Sequence, residues 1–242
     1  MSSNAAVTTH DELPVEHNPL TSMPHDTHGG ISNPVLGMLL FITSEVMFFG
    51  GLFAAYFNIR ANAAQWPPIN PQTITTANPT GEPFHLQVLP VVTTDGVTSF
   101  SFVLIATILL ITSSFTCQYA IWKIRSDDRT RFIRAMAVTI ALGITFLLMQ
   151  ITDYAILGNE GLTLSSGTYG TTFYTLTGFH GAHVFGGVIM LSVVLYRGML
   201  GQFSSKHYDA VEGASLYWHF VDVVWILLFA LLYLLPGKTP AA

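Results

Sequence analysis

Two pairs of polar residues with a spacing of three stand out in the apolar C-terminal half of the sequence. His180 and His183 lie in TGFHGAHVFGG, and His219 and Asp222 lie in YWHFVDVVW. Residues three apart share one face of a helix, so each pair could act as a unit. Imidazole and carboxylate groups bind iron, zinc or copper. Together with Glu45, these four side chains could therefore form a metal site.

We nevertheless favour a structural role for these groups and expect this chain to bind no metal. A di-iron site in a helical bundle normally takes more carboxylates, in Glu-x-x-His pairs. His219 and Asp222 are expected to hydrogen-bond to a neighbouring helix, through His180 or His183, because an unsatisfied polar group in a membrane finds no water. Such bonds would lock the helices together.

Glu45 is the one ionisable residue in the apolar run LGMLLFITSEVMFFGGLFAAYF. It follows Pro34 by about 16 Å of helix, which places it near the middle of a hydrocarbon core about 30 Å thick. An ionisable residue at that depth faces protein or water and suggests a function. The sequence leaves open whether Glu45 has a direct role or is a protonated carboxyl that is hydrogen-bonded within the bundle.

Three further polar residues are expected to have structural roles. Gln150 and Asp153 lie near the end of the third apolar segment, and Glu212 directly precedes the fifth. Hydrogen bonding at a helix end is the expected role of the first two. The expected structural polar network comprises Gln150, Asp153, His180, His183, Glu212, His219 and Asp222.

The composition indicates that these groups lie in a membrane. Half of the 242 residues are hydrophobic and 10% are charged, whereas soluble domains carry about 25% charged residues. Five apolar stretches have the roughly 17–25 residues that a membrane helix needs. We therefore predict an all-α, polytopic membrane protein, a bundle of five transmembrane helices. The predicted spans are Pro34–Phe57, Phe100–Trp122, Phe132–Ile156, Thr171–Tyr196 and Gly213–Leu235.

The segments outside the spans predict the domain organisation and the orientation. We expect a polar cytoplasmic tail at residues 1–33, a membrane domain at 34–236 with an external Pro-rich loop at about 60–99, and a short tail at 237–242. Most Lys and Arg residues fall in the second and fourth connections, and positive residues favour the cytoplasmic side. The N-terminus is therefore expected in the cytoplasm and the C-terminus outside. Lys and Arg are too scarce for a nucleic-acid partner.

Four stretches between Leu36 and Leu235 resemble subunit III of the haem–copper oxidases, most closely the cytochrome c oxidase type in its five-span form. They are GMLLFITSEVMFFGGLFAAYF, TFLLMQITDY, GTTFYTLTGFHGAHVFGG and EGASLYWHFVDVVWILLFALLYL. The resemblance implies a non-catalytic subunit of a proton-pumping, oxygen-reducing enzyme of the aerobic electron transport chain, in a bacterial cytoplasmic membrane. The implied partners are subunit I as the main contact, subunit II, phospholipids and further respiratory complexes. Haem and copper would be held by the partner subunits.

The resemblance also implies roles for single residues. Glu45 matches the family's intramembrane glutamate, which carbodiimides modify. Arg197 and His207 match positions that bind a phospholipid head group, and a guanidinium suits the paired hydrogen bonds that phosphate accepts. In the family, subunit III supports proton uptake, oxygen access and the stability of subunit I. Asp153 departs from the pattern, because a glutamate is usual before the tyrosine.

Three other functions remain open on the sequence alone. The chain could be subunit III of a quinol oxidase, because the electron donor binds to another subunit. It could be a free-standing, proton-linked transporter built around Glu45. It could also be a metal-dependent membrane oxidase that uses the histidines. The preferred electron donor would identify a quinol oxidase. Copurification with haem and copper subunits would exclude a free-standing transporter. The metal content of the isolated chain would test the metal-dependent oxidase.

Overall fold

A computed structural model of the chain describes residues 32–70, 74, 82–83, 91–92, 98–99, 102–159 and 161–235. Within these residues, five helices are long and apolar enough to cross a membrane. The predicted all-α fold with five transmembrane helices is therefore confirmed. The helices are α1 (Asn33–Asn62), α2 (Phe102–Arg125), α3 (Arg129–Asn159), α4 (Thr168–Met199) and α5 (Asp209–Phe229).

Several helix ends extend beyond the apolar runs that predicted them. The helix α1 has Pro34 in its first turn, where the missing N–H of proline costs no hydrogen bond, and it continues past Phe57 to Asn62. The helix α3 begins at Arg129 rather than Phe132. Polar residues can continue a helix into water, so the apolar run marks only its middle. The predicted tails lie outside the described residues, except for positions 32 and 33.

The predicted Pro-rich loop contains two antiparallel pairs of two-residue strands. Most of the remaining loop lies outside the described residues. Trp66, near its start, is buried and packs edge-on against Tyr56 at 5.8 Å and Tyr169 at 4.8 Å between ring centroids. This part of the loop is therefore anchored on α1 and α4, which the sequence interpretation did not predict. The strands are β1 (Ile69–Asn70), β2 (Glu82–Pro83), β3 (Val91–Val92) and β4 (Thr98–Ser99).

The last helix, α5, occupies the middle of the bundle, because it packs against α1, α2 and α4. Its chain continues directly into a π-helix (Ala230–Leu234). The Tyr56 hydroxyl on α1 donates a hydrogen bond of 2.8 Å to the Leu231 carbonyl in this π-helix. The helix α1 itself lies at the periphery, with only Phe49 and Tyr56 buried.

Trp218 on α5 is the centre of the helix packing. Its side chain is fully buried, and its Nε1 donates a hydrogen bond of 3.0 Å to the Ser113 hydroxyl on α2. A Cβ atom on Gly143 of α3 would lie 2.7 Å from the indole, and one on Gly187 of α4 would lie 2.8 Å from it. The two glycines therefore let α3 and α4 approach the indole closely, as small residues do in membrane bundles.

Candidate functional site

Glu45 on α1 meets His183 on α4 inside the bundle. The Glu45 Oε2 atom lies 2.8 Å from His183 Nε2, and each side chain is only 17% exposed. The other ring nitrogen of His183, Nδ1, lies 2.6 Å from the backbone carbonyl oxygen of Phe179. Sequence reasoning grouped both residues in a possible metal site but did not predict a direct contact between them, because their separation along the chain gives no sign of it.

These two contacts fix the number of protons that the pair holds. A carbonyl oxygen can only accept, so His183 Nδ1 must carry a hydrogen and donate it to Phe179. The contact between Nε2 and Oε2 needs one more hydrogen, held either by the Glu45 carboxyl or by the imidazole. In both cases the pair is neutral overall, which suits membrane depth, where an isolated charge is costly.

Aromatic side chains surround this pair. The ring centroid of Phe49 lies 5.0 Å from that of His183, and the ring of Phe48 lies 6.1 Å from it. The Tyr217 hydroxyl on α5 donates a hydrogen bond of 3.2 Å to the backbone carbonyl of His183. Three helices therefore hold the pair in place, and the surroundings are largely apolar.

His180, one turn before His183, makes a different helix contact. Its side chain is fully buried, and Nε2 donates a hydrogen bond of 3.2 Å to the Val221 carbonyl on α5. Its ring packs on Trp225 with 4.9 Å between centroids. The Nδ1 atom has no hydrogen-bond partner within the described part of the chain. His180 therefore joins α4 to α5.

His219 and Asp222 face α2 rather than α4. His219 Nδ1 lies 2.6 Å from the Ser114 hydroxyl. The carboxyl oxygens of Asp222 are buried and have no partner of hydrogen-bonding geometry among the residues described, although the same Ser114 hydroxyl lies close to them. Ser114 is thus a residue of this site that sequence reasoning missed, since one serine in an apolar helix carries no distinctive pattern.

The expectation that His219 and Asp222 bond through His180 or His183 is wrong. His180 bonds to the Val221 carbonyl. His183 bonds to the Phe179 carbonyl and to Glu45. The spacing of three correctly places His219 and Asp222 on one face of α5. It carries no information about which neighbouring helix that face meets, and the bundle turns it towards α2.

Gln150 and Asp153 lie at the far end of α3. Gln150 Nε2 donates hydrogen bonds to the Thr177 carbonyl at 2.7 Å and to the Tyr154 hydroxyl at 3.1 Å. The Tyr154 hydroxyl donates in turn to Thr177 Oγ1 at 2.7 Å. Asp153 interacts with Tyr233 of the π-helix. These groups join α3 to α4 and to the π-helix that follows α5.

Glu212 lies at the opposite end of the bundle from Gln150 and forms an exposed ion pair of 3.3 Å with Arg125. An exposed pair of this kind contributes little to stability. The seven residues expected to form one polar network therefore make several separate contacts between different helices. Within the described ranges, no group of three or more His, Cys, Asp or Glu residues lies close enough together to hold a metal ion.

The connection between α4 and α5 carries Arg197 and His207, both exposed. Arg197 Nε donates a hydrogen bond of 2.8 Å to Gln202 Oε1, and its guanidinium lies 5.0 Å from the centroid of the Phe203 ring. The backbone of His207 pairs with that of Ser204 in an isolated antiparallel bridge. The terminal nitrogens of Arg197 make no hydrogen bond to any described residue and are available to an anion.

This connection is fastened to the turn between α2 and α3. Asp127, at the tip of that turn, accepts hydrogen bonds of 2.7 Å from both the backbone N–H and the hydroxyl of Ser205. These bonds lower the pKa of the Asp127 carboxyl, the hydroxyl having the larger effect. Arg129 donates to the carbonyls of Gly198 and Met199. We call this end of the bundle, with both connections, the basic end.

Fold and site together define a polytopic membrane protein whose buried polar groups join its helices to one another. Residues 25–236 match the family described as cytochrome c oxidase subunit III. The chain is 38% identical over 202 residues to cytochrome c oxidase subunit 3 of Pongo abelii, which covers 81% of this chain and 67% of that protein. It is 36% identical over 199 residues to the probable cytochrome c oxidase subunit 3 of Mycobacterium leprae, and this match covers 82% of this chain and 86% of that protein.

The chain therefore belongs to the cytochrome c oxidase subunit III family. It is subunit III of a haem–copper oxidase, part of a membrane-bound oxidase complex with other subunits. The resemblance found in the four sequence stretches is confirmed.

Proposed function

We propose that this chain is a non-catalytic subunit III that supports oxygen reduction and proton pumping by a catalytic partner, subunit I. The electron donor of the complex is cytochrome c. The complex lies in a bacterial cytoplasmic membrane, with the N-terminus of this chain in the cytoplasm and the C-terminus outside. Subunit II is a further contact, and haem and copper are held by the partner subunits.

The observation that carries this proposal is that the intramembrane histidines bond to separate protein partners. His180 bonds to a carbonyl of α5, His183 to Glu45 on α1, and His219 to Ser114 on α2. Each imidazole thus joins two helices and does not converge with the others on a common centre. Groups arranged in this way stabilise a bundle rather than carry out chemistry on a substrate.

Glu45 and His183 are proposed to support proton uptake by subunit I. The pair holds one proton in a contact of 2.8 Å, and a shift of this proton from one atom to the other changes no net charge. Such a shift separates charge within the pair, so the position of the proton depends on the charges nearby. The helix α1 packs against α4 and α5, and its exposed sides are the surface that we propose for contact with lipid and for oxygen access.

The basic end is proposed to face the cytoplasm and to bind a phospholipid head group through Arg197 and His207. The positive residues of both connections lie at this end, as the positive-inside rule requires of a cytoplasmic face. The bonds from Asp127 and Arg129 hold the backbone of the connection, so the two side chains are presented on a fixed loop. A guanidinium with free terminal nitrogens suits a phosphate group.

Purification of the complex through a tag on this chain tests the proposal. We expect haem and copper subunits to copurify, oxygen reduction with reduced cytochrome c to exceed that with quinol, and the isolated chain to contain no stoichiometric metal. Preference for quinol would identify the quinol oxidase type. A chain that purifies alone and transports protons, or that retains its own metal, would contradict the proposal.

A further inference from the structure

A groove of about 430 Å³ lies between α2 and α3, near the basic end. Its lining residues all belong to these two helices, so it is separate from the Arg197 and His207 connection. The mouth is lined by Arg131 and Arg134, and the apolar part by Phe115 and Val138. None of the residues that line it carries a carboxylate.

Small side chains at the contact of the two helices make room for the groove. Thr116 Oγ1 on α2 lies 2.8 Å from Thr139 Oγ1 on α3, which holds the two helices close together. Ala135, one turn before Thr139, is only 8% exposed. On the open sides, Phe115 is 72% exposed and Val138 is 48% exposed. The groove therefore has a closed floor and an exposed apolar rim.

The mouth of the groove is positively charged and largely uncompensated. Arg131 and Arg134 are three apart and share one face of α3. Arg131 pairs with Asp128 at 3.3 Å, but its side chain remains 61% exposed. Arg134 makes no hydrogen bond or ion pair with any residue in the described ranges. Lys123 adds a third cation beside the groove, 5.1 Å from the centroid of the Tyr119 ring.

We propose that this groove binds one anionic diacyl phospholipid, with its phosphate on Arg131 and Arg134 and an acyl chain along Phe115 and Val138. Seven residues of helix separate Arg131 from Val138, about 10 Å, which matches the upper half of an acyl chain. The order of groups, cations at the interface and apolar surface below them, is complementary to an anionic lipid. Tyr119 lies between the two, where aromatic residues are enriched at membrane interfaces.

The test uses the purified oxidase complex and native mass spectrometry of its retained lipids. Wild type is compared with an Arg131→Gln, Arg134→Gln double variant, in micelles with added phosphatidylglycerol or phosphatidylcholine. We expect the double variant to retain one fewer phosphatidylglycerol, with binding weakened about fivefold for each arginine, the usual effect of one cation at an anionic surface. Phosphatidylcholine binding should not change.

Three further variants test whether the bound group is a lipid and whether it lies in this groove. Ala135→Leu fills the floor and keeps both arginines, so it should also release the lipid, whereas an anion held by the arginines alone would remain. Lys206→Gln removes a cation at the same end but outside the groove and should release nothing. The Arg197→Ala, His207→Ala variant should lose a different lipid and keep this one.

Several results would overturn the proposal. The first is an unchanged number of bound phosphatidylglycerol molecules in the double variant. The second is that the wild-type complex retains phosphatidylcholine as well as it retains phosphatidylglycerol. The third is that inorganic phosphate alone displaces the bound phosphatidylglycerol. Crosslinking of a partner subunit to position 115 or 138 in the intact complex would show that protein fills the groove, which would also overturn it. If the Ala135→Leu variant fails to assemble, the double variant and the competition with phosphate still show whether the groove binds a lipid or a simple anion.

Discussion

The Oε2 atom of Glu45 lies 2.8 Å from Nε2 of His183, and this contact joins α1 to α4 within the membrane-spanning bundle. A second polar contact, from the Tyr56 hydroxyl to the Leu231 carbonyl, joins α1 to the π-helix after α5. The helix α1 buries few other side chains. These two hydrogen bonds are therefore important for fixing a helix that is otherwise held by limited packing.

Two substitutions of Glu45 should separate the effect of its hydrogen bond from the effect of its carboxyl group. In Glu45→Gln, the amide can still donate to His183 Nε2, so we expect an assembled complex with a near-normal initial rate of oxygen reduction. In Glu45→Leu, Nε2 loses its partner, which costs about 1–3 kcal/mol for a buried polar group, and the chain should be lost more readily on detergent washing. Oxygen consumption and subunit content measure the two effects. Loss of haem or of initial activity in Glu45→Gln would contradict a non-catalytic role for this residue.

Two adjacent glycines on α4 should respond oppositely to alanine. In Gly187→Ala, the new Cβ would lie 2.8 Å from the Trp218 indole, and overpacking of a rigid core typically costs about 1–3 kcal/mol. In Gly186→Ala, the nearest atom is the Tyr217 hydroxyl at 3.8 Å, so the substitution should be neutral or stabilising. Thermal unfolding in detergent, followed by circular dichroism, compares them. Equal melting temperatures would show that Trp218 is not tightly packed there.

The helices could be predicted from the sequence, but the contacts between them could not. Five apolar runs of sufficient length predict five spans, because a bilayer allows few alternatives. The partner of Glu45 depends on the relative rotation and depth of α1 and α4, which periodicity does not contain. For the same reason the sequence does not show that His219 bonds to Ser114 on α2. Trp66 was missed because a proline-rich segment usually predicts an exposed loop.

Substitutions at the contact of α2 with α5 should show whether Ser114 or Asp222 stabilises the position of His219. Ser114→Ala removes the partner of His219 Nδ1, whereas Asp222→Ala leaves the bond of 2.6 Å between Ser114 and His219 in place. An interhelical hydrogen bond in a membrane stabilises the fold by about 0.6 kcal/mol on average. A buried polar group that is left without a partner adds a further free-energy cost. We therefore expect Ser114→Ala to weaken retention of the chain more than Asp222→Ala does. Metal content should be the same in both variants, and loss of a stoichiometric metal would revive the metal-ligand interpretation.

The contact of Asp127 with Ser205 should make the α4–α5 connection sensitive to acid. The carboxyl has a lowered pKa in the folded chain, so its contribution to stability is present above its ordinary pKa, about 3.9, and is lost as the pH falls through the lower folded value. A spin label at Lys206→Cys should become more mobile only as the pH falls through this lowered pKa, below the ordinary value of about 3.9. In Asp127→Ala, label mobility should be high at every pH, whereas Asp127→Asn, which also tolerates the left-handed backbone of this position (φ 54°), should be intermediate. A wild-type label whose mobility does not change with pH would contradict this account.

Oxygen consumption by an oxidase stripped of this chain tests the non-catalytic role most directly. The stripped complex should keep its haem and copper and begin at nearly the rate of the intact complex. It should then lose activity faster with continued turnover, and adding the purified chain back should restore the lifetime. A stripped complex with intact metal centres and no initial oxygen reduction, or one that stays active as long as the intact complex, would contradict the proposed role.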